Sequence, residues 1–187
     1  MVEAIAEAPP VLKLDLGCGP NKAEGFTGVD VLPFGGKVDV VADLKGPWPW
    51  ADGSVDEVHC SHFLEHLEGI ERVHFFNELW RVLKPGGTAR IITPHWASCR
   101  AYGDVTHKWP PVSEFFYHYL SRDWRRTQAP HDDAQHVPGM YSCNFTHTIA
   151  YTVNGALHTK NQEFVMDALA WKKEAAQDTI AVVTKQP

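Results

Sequence analysis

The segment Val11-Leu12-Lys13-Leu14-Asp15-Leu16 is a short apolar run, and it stops at Gly17-Cys18-Gly19-Pro20-Asn21. A strand that opens into two glycines one residue apart restricts what can follow. Glycine reaches backbone conformations closed to other residues and lets the main chain approach a neighbour or ligand without a Cβ in the way. In a doubly wound sheet such a turn lies at the carboxyl end of the first strand, where ligands bind.

The rest of the chain supplies the other pieces of such a sheet. Gly28 to Val31 reads as a second strand ending before Pro33 and Gly35-Gly36. Val38 to Ala42 is a strand or an extended loop. Pro47 to Gly53 is turn-rich, and Val55 to Cys60 is another strand. Ile70 to Leu83 has apolar residues at helical spacing and ends at Lys84-Pro85-Gly86-Gly87. Thr88 to Thr93 is a strand closed by Pro94. From His95 to Asn144 the periodicity fails, apart from a helix around Val112 to Leu120. Phe145 to Val153 is a strand, Asn161 to Ala176 a helix and Thr179 to Thr184 a final strand. This alternation predicts an α/β fold: a doubly wound, mostly parallel Rossmann-like sheet with helices on both faces. It adds an antiparallel C-terminal strand at the sheet edge and an irregular insert after the fifth strand.

Acidic residues mark the ends of the early strands. A dinucleotide fingerprint would place a third glycine at position 22, where this chain has Lys22. Asp15 stands just before the turn. A carboxylate there would repel a pyrophosphate and suits a cationic ammonium or sulfonium, which favours S-adenosylmethionine over NAD. Asp30, with Val31, ends the next strand and can accept from both ribose hydroxyls. Asp43 can accept a hydrogen bond from an adenine amino group, with Leu44 packed on the ring.

At these residues the chain resembles the class I S-adenosylmethionine-dependent methyltransferases, in particular the small single-domain subgroup called methyltransferase type 11. The resemblance is carried by LKLDLGCGPN, VADLKGPWPWADGSVDEVHCSHFLEHL, ELWRVLKPGG and TARIITPHW, all in the first half. RAYGDVTHKW is similar to a D-P-T-H segment of some relatives, with Val105 in place of the proline. The resemblance implies that Asp15, Gly17, Cys18 and Gly19 surround the methionine part of the cofactor, with Asn21 a further cofactor-binding residue. It places Asp30 and Val31 at the ribose, Asp43 and Leu44 at the adenine, and Ser61 and His62 beside the sulfonium. It also makes Asp52 a loop-shaping residue before the fourth strand.

Methyl transfer asks an enzyme to align donor and acceptor and, for some acceptors, to remove a proton. Four residues at or beyond strand ends are the catalytic candidates: His62, His95, Asp104 and His107. His62 and His66, four apart, would share a helical face toward the site. The chain has 11 histidines, so several must be structural. His131-Asp132-Asp133 with His136 reads as a solvated turn before it reads as a metal site, and no metal is expected. The insert's aromatic residues form a satellite core or stack on a planar acceptor. Arg122, Arg125 and Arg126 form a charged face or a phosphate contact.

Composition narrows the partners. The 187 residues suit one domain, with residues 1–10 a loose tail and 95–144 an insert covering the substrate. A net charge of −6 argues against a module built to coat nucleic acid. The expected acceptor is a small molecule, a sugar or a lipid-linked intermediate. The alternatives are a nucleobase or nucleic acid, or a protein that binds the cofactor without turnover. The N-terminus lacks a secretory pattern, and no run approaches the roughly 18 apolar residues of a membrane span. Cys18, Cys60, Cys99 and Cys143 contain no C-x-x-C pair and read as reduced thiols, which predicts a cytoplasmic protein.

Overall fold

A computed structural model describes residues 10–130, 137 and 140–187. His131, Asp132, Asp133 and His136 lie outside the described residues. The strands are β1 (Lys13–Leu16), β2 (Thr27–Asp30), β3 (Val40–Val41), β4 (Val55–Ser61), β5 (Leu83–Pro94), β6 (Phe145–Val153) and β7 (Ala176–Lys185). The helices are α1 (Gly69–Val82), α2 (Arg100–Gly103), α3 (Glu114–His118), α4 (Arg122–Gln128) and α5 (Gln162–Trp171). All seven strands join one sheet in the order β3-β2-β1-β4-β5-β7-β6. The pairs from β3 to β5 are parallel, and β7 runs antiparallel to both β5 and β6.

The antiparallel C-terminal strand is present, one place in from the edge, with β6 outside it. Burial explains the order. Along β7 buried positions recur through the whole strand, whereas β6 buries only Phe145 fully and exposes most of its outer residues. The strand paired on both sides is the more deeply buried of the two.

Other differences from the sequence reading have local causes. The links from β1 to β2, β2 to β3 and β3 to β4 contain turns and no helix. Pro20 and Gly25, then Pro33, Gly35 and Gly36, then Pro47, Pro49 and Gly53 interrupt each of them. Lys84-Pro85-Gly86-Gly87 does not form a separate stop. Helix α1 ends at Val82, and β5 already begins at Leu83, with Gly86 at φ +76° inside an irregular stretch of the β4–β5 ladder. Helix α5 is shorter than expected. The Asn161 side chain accepts from the Phe164 amide at its start, and Lys172 is already extended at its end. Among its described residues the insert has three short helices where one was expected.

Helix α1 carries the core. Glu68 and Glu71 form a reciprocal capping box at its start. Its buried face presents Phe75, Phe76, Leu79 and Val82 to Leu14, Leu16, Val58 and Ile91 of the sheet. Val112, Tyr117, Leu120 and Cys143 belong to the same cluster, so the second part of the insert is core rather than a separate patch. Burying an aromatic or aliphatic side chain of this size contributes about 1.5–3 kcal/mol.

The loop before β4 is tied to α1 by Arg81. Its guanidinium donates to Glu78 through Nε and Nη2 (2.8 and 2.7 Å), to Asp52 at 2.8 Å and to the carbonyls of Trp48 and Trp50. Asp52 does shape this loop. The hydrogen bond from Arg81 is the main reason that the Glu78 carboxyl lies below its ordinary range. A carboxyl with a depressed folded pKa contributes stability that is complete above its unfolded value, near 4.5, and vanishes as pH falls through the folded value. Glu78→Gln is therefore expected to flatten the loss of melting temperature on acidification below about pH 4.5. An acid profile matching that of the parent chain would remove this pair from the account.

Candidate functional site

The turn after β1 is built on β2. The amides of Gly17 and Cys18 both donate to the Val29 carbonyl, at 2.8 and 3.1 Å, which bends the chain back over the neighbouring strand. Gly17 and Gly19 take φ values of +70° and +55°. Their surroundings differ. A Cβ on Gly17 would lie 2.5 Å from the Phe63 ring, while a Cβ on Gly19 would meet nothing within 4 Å. One glycine permits close packing, and the other borders open space.

Carboxylates hold the turn from two sides. Asp30 accepts from the Gly19 amide at 2.9 Å and from the Leu32 amide at 3.0 Å. Asp15, only 4% exposed, accepts from the Ala23 amide at 2.7 Å. Burial pushes the Asp15 carboxyl above its ordinary range, so a cation placed beside it would stabilise the ionised form. The Cys18 thiol is pushed up to about 11, mainly by burial and then by Asp15 and Asp30. It is therefore a protonated thiol at neutral pH, not a nucleophile.

A hollow of about 410 Å³ lies at the turn itself, and another of about 420 Å³ lies between the start of the insert and residues 169–174. The hollow at the turn is lined by Asp15, Gly17, Cys18, Asn21, Ser61 and His62, together with Ala23 and His59. Six predicted residues thus converge. His59 was missed, although it shares the Ser61 face of β4 by the two-residue period of a strand. Val31 and Asp43 do not line the hollow. Val31 is exposed and Asp43 accepts from the Lys45 amide in its own turn. Leu44 is 3% exposed and belongs to the core, so its side chain is not available to pack on a ring in the hollow.

The shared face expected for His62 and His66 is not formed. His62 has φ +54°, and only Leu64–His66 makes a single 3-10 turn, so helical spacing does not apply across the pair. The two rings diverge. His62 lines the hollow with Nδ1 3.2 Å from Glu65 Oε1 and Nε2 3.9 Å from Asp178 Oδ1. The bond to Glu65 is the main cause that raises its pKa above the ordinary histidine value. His66 turns to the insert, where its ring meets the His107 ring edge to face at 4.9 Å.

His95 lines the second hollow with Trp96, Ser98, Tyr102, Leu169 and Trp171. The Ala97 amide donates to His95 Nδ1 at 3.1 Å, which leaves Nε2 as the protonated nitrogen, 2.8 Å from Glu114 Oε1. Both ring nitrogens are thus engaged, so His95 fixes the wall of this hollow. Asp104 accepts from the Thr106 amide and hydroxyl, which hold its carboxyl below the ordinary range.

Asp178 stands behind His62, at 3.9 Å. It sits at the start of β7 opposite Pro94, accepts from Arg100 at 2.7 Å and faces His62. Nothing in the linear sequence singles it out. It arrives there because β7 is antiparallel, so its first residues lie beside the last residues of β5. The insert's arginines do not form one basic face. Arg125 is 3% exposed and donates to the carbonyls of Tyr119 and Cys143, while Arg126 pairs with Asp123. The four cysteines are unpaired. Among the described residues no helix is long and apolar enough to cross a membrane.

Comparison with known proteins agrees with this geometry. Residues 14–91 match the model of a methyltransferase domain. An uncharacterised methyltransferase of Synechocystis is 28% identical over 130 residues, which cover 61% of this chain and 58% of that protein. A SAM-dependent methyltransferase of Archaeoglobus fulgidus has the same fold, with a TM-score of 0.66 at 21% identity over 94% of this chain and 86% of that one. So has the geranyl diphosphate C-methyltransferase of Streptomyces coelicolor, solved with S-adenosyl-L-homocysteine, with a TM-score of 0.51 at 17% identity over 95% and 70%. Residues 14–91 thus match a methyltransferase domain, and the chain shares its fold with these S-adenosylmethionine-dependent methyltransferases.

Proposed function

We propose that the chain binds S-adenosylmethionine in the hollow at the β1 turn and transfers its methyl group to a small-molecule acceptor held in the second hollow. The observation that carries the reading is the turn itself. Gly19 borders open space, and the buried carboxylate of Asp15 lines the same hollow as Ser61 and His62. A site of that character takes a cation and repels a pyrophosphate. The cofactor supplies an electrophilic methyl on a cationic sulfur.

The chain's own residues do the rest. Asp15 offers negative charge beside the methionine part. Asp30, already holding the turn, keeps acceptor capacity for ribose hydroxyls, since each carboxylate oxygen has two lone pairs. His62 stands on the side of the hollow that faces Asp178 and hence the insert. His95, Trp96 and Tyr102 give the second hollow an aromatic wall suited to a small organic acceptor. The burial of Arg125 takes one arginine out of the cluster that supported a nucleic-acid acceptor. A sugar or lipid-linked intermediate belongs within the same small-molecule reading.

Calorimetry tests the reading directly. S-adenosylmethionine is expected to bind and NAD not to bind. Asp30→Ala should weaken cofactor binding by about 1–3 kcal/mol, the worth of charge-assisted hydrogen bonds. Affinity unaltered in that variant would take Asp30 out of the site. Radiolabelled methyl transfer should then go to a small-molecule fraction of an extract. Transfer confined to nucleic acid would replace the acceptor class, and binding with no transfer to any fraction would leave a cofactor-binding protein.

A further inference from the structure

We propose that Glu65, His66 and His107 form a binding site for one divalent transition-metal ion beside the cofactor hollow. One donor atom from each of the three lies within 4.8 Å of the other two. The hydrogen bonds around the two rings decide which nitrogen each can offer. His107 Nδ1 lies 3.2 Å from the Ala101 carbonyl, which only accepts, so Nδ1 carries the hydrogen and Nε2 the lone pair. The Thr106 hydroxyl donates to Asp104 at 2.7 Å. It therefore accepts from His66 Nδ1 at 3.1 Å, and His66 Nε2 also keeps its lone pair.

The third member is the buried carboxylate. Glu65 is 4% exposed, Oε1 is engaged by His62, and Oε2 is buried with no hydrogen-bond partner. A buried carboxylate oxygen left unpaired is costly. With Nδ1 of each ring engaged, the two Nε2 atoms and Glu65 Oε2 are the donors left to hold a cation. Bonds of about 2.0–2.2 Å from two imidazoles and a carboxylate, with one position open, are the pattern of a zinc-type site. Imidazole donors favour transition metals over magnesium.

The surroundings hold the three residues in place. Arg72, 2% exposed, donates to the carbonyls of Leu64, Lys108 and Pro110, clamping the turn that carries Glu65 and His66 to the segment that follows His107. The Lys108 amide donates to the Glu65 carbonyl at 2.8 Å. His66 and His107 are partly exposed, which gives an ion a path in, and Asp104 Oδ2 lies 3.9 Å from His107 Nε2 at the open side. Each ring nitrogen that does not face the ion has its partner, as ligating histidines require.

Equilibrium dialysis of chelator-stripped protein against Co²⁺ tests the site without cofactor or acceptor, so its failure would leave the methyl-transfer reading untouched. The expected result is about one bound Co²⁺ with a visible absorption band, displaced by Zn²⁺ and not by equal Mg²⁺. Glu65→Gln and His107→Ala should each lower affinity at least about 100-fold, and Thr106→Val, which removes the partner of His66 Nδ1 and no ligand, by about 10–100-fold. The Thr106 variant keeps the test open should either ligand variant fail to fold. No uptake by the parent chain, or uptake equal in all three variants, would overturn the site. So would uptake abolished by His131→Ala with His136→Ala.

Discussion

Gly17→Ala is expected to destabilise the fold by roughly 2–5 kcal/mol and to abolish cofactor binding, adding left-handed backbone strain to overpacking. Its φ of +70° suits glycine, and the new methyl would lie 2.5 Å from the Phe63 ring, which is anchored against Phe75 with ring centroids 6.0 Å apart. The clash cannot be relieved by swinging a flexible tip aside, because three ring and Cβ atoms of Phe63 crowd the same point. Denaturant unfolding reads the stability and calorimetry the binding. Gly19→Ala is the control within the same turn. Its methyl meets nothing, so it should cost only about 1–2 kcal/mol of strain while filling space in front of the turn. Equal unfolding midpoints for Gly17→Ala and the parent chain would show that Phe63 yields freely and that the turn is not packed as described.

The second large effect is expected at Phe75. Phe75 is fully buried and packs edge to face with Trp48 and Phe76, both at 5.3 Å, besides touching Phe63 beneath the glycine turn. Phe75→Ala removes a ring from the middle of that stack. The surrounding rings belong to three different elements and cannot all close on the gap. The expected loss is about 3–5 kcal/mol. For a domain of this size that is a fall in melting temperature of roughly 6–20 °C. Because Phe63 loses its support, the variant should also bind S-adenosylmethionine less tightly at temperatures where it is still folded. A melting temperature within a degree of the parent value would contradict a core centred on α1.

Much of this was legible along the chain, and the reasons are local. The turn at Gly17 to Gly19 was readable because strand, glycine and strand follow one another within 20 residues, and because only glycine suits the conformation. Helix α1 and the strand β6 were readable from periodicity and breakers, Asp15 could be placed because it stands beside the glycine turn, and Ser61 and His62 were placed by resemblance. The misreadings also have one kind of cause. Leu44 follows a strand-end acid, yet its side chain joins the core. His62 and His66 stand four apart, yet the chain between them turns through a left-handed residue. Arg125 sits in a basic run, yet it is buried on two carbonyls. In each case spacing suggested a surface, and packing decided which way the side chain turned.

By itself the sequence determined the sheet-and-turn frame and the acidic character of the ligand site, because both follow from neighbours close in the chain: backbone freedom, hydrophobic period and charge at strand ends. Only the tertiary structure decided what stands opposite that site. An antiparallel β7 carries Asp178 to the end of β5, and Arg72 pins the Leu64 turn to the insert, which brings Glu65, His66 and His107 together. Contacts between residues 38 and 116 positions apart are set by which strands pair and which polar groups must be satisfied on burial, and no local pattern encodes them.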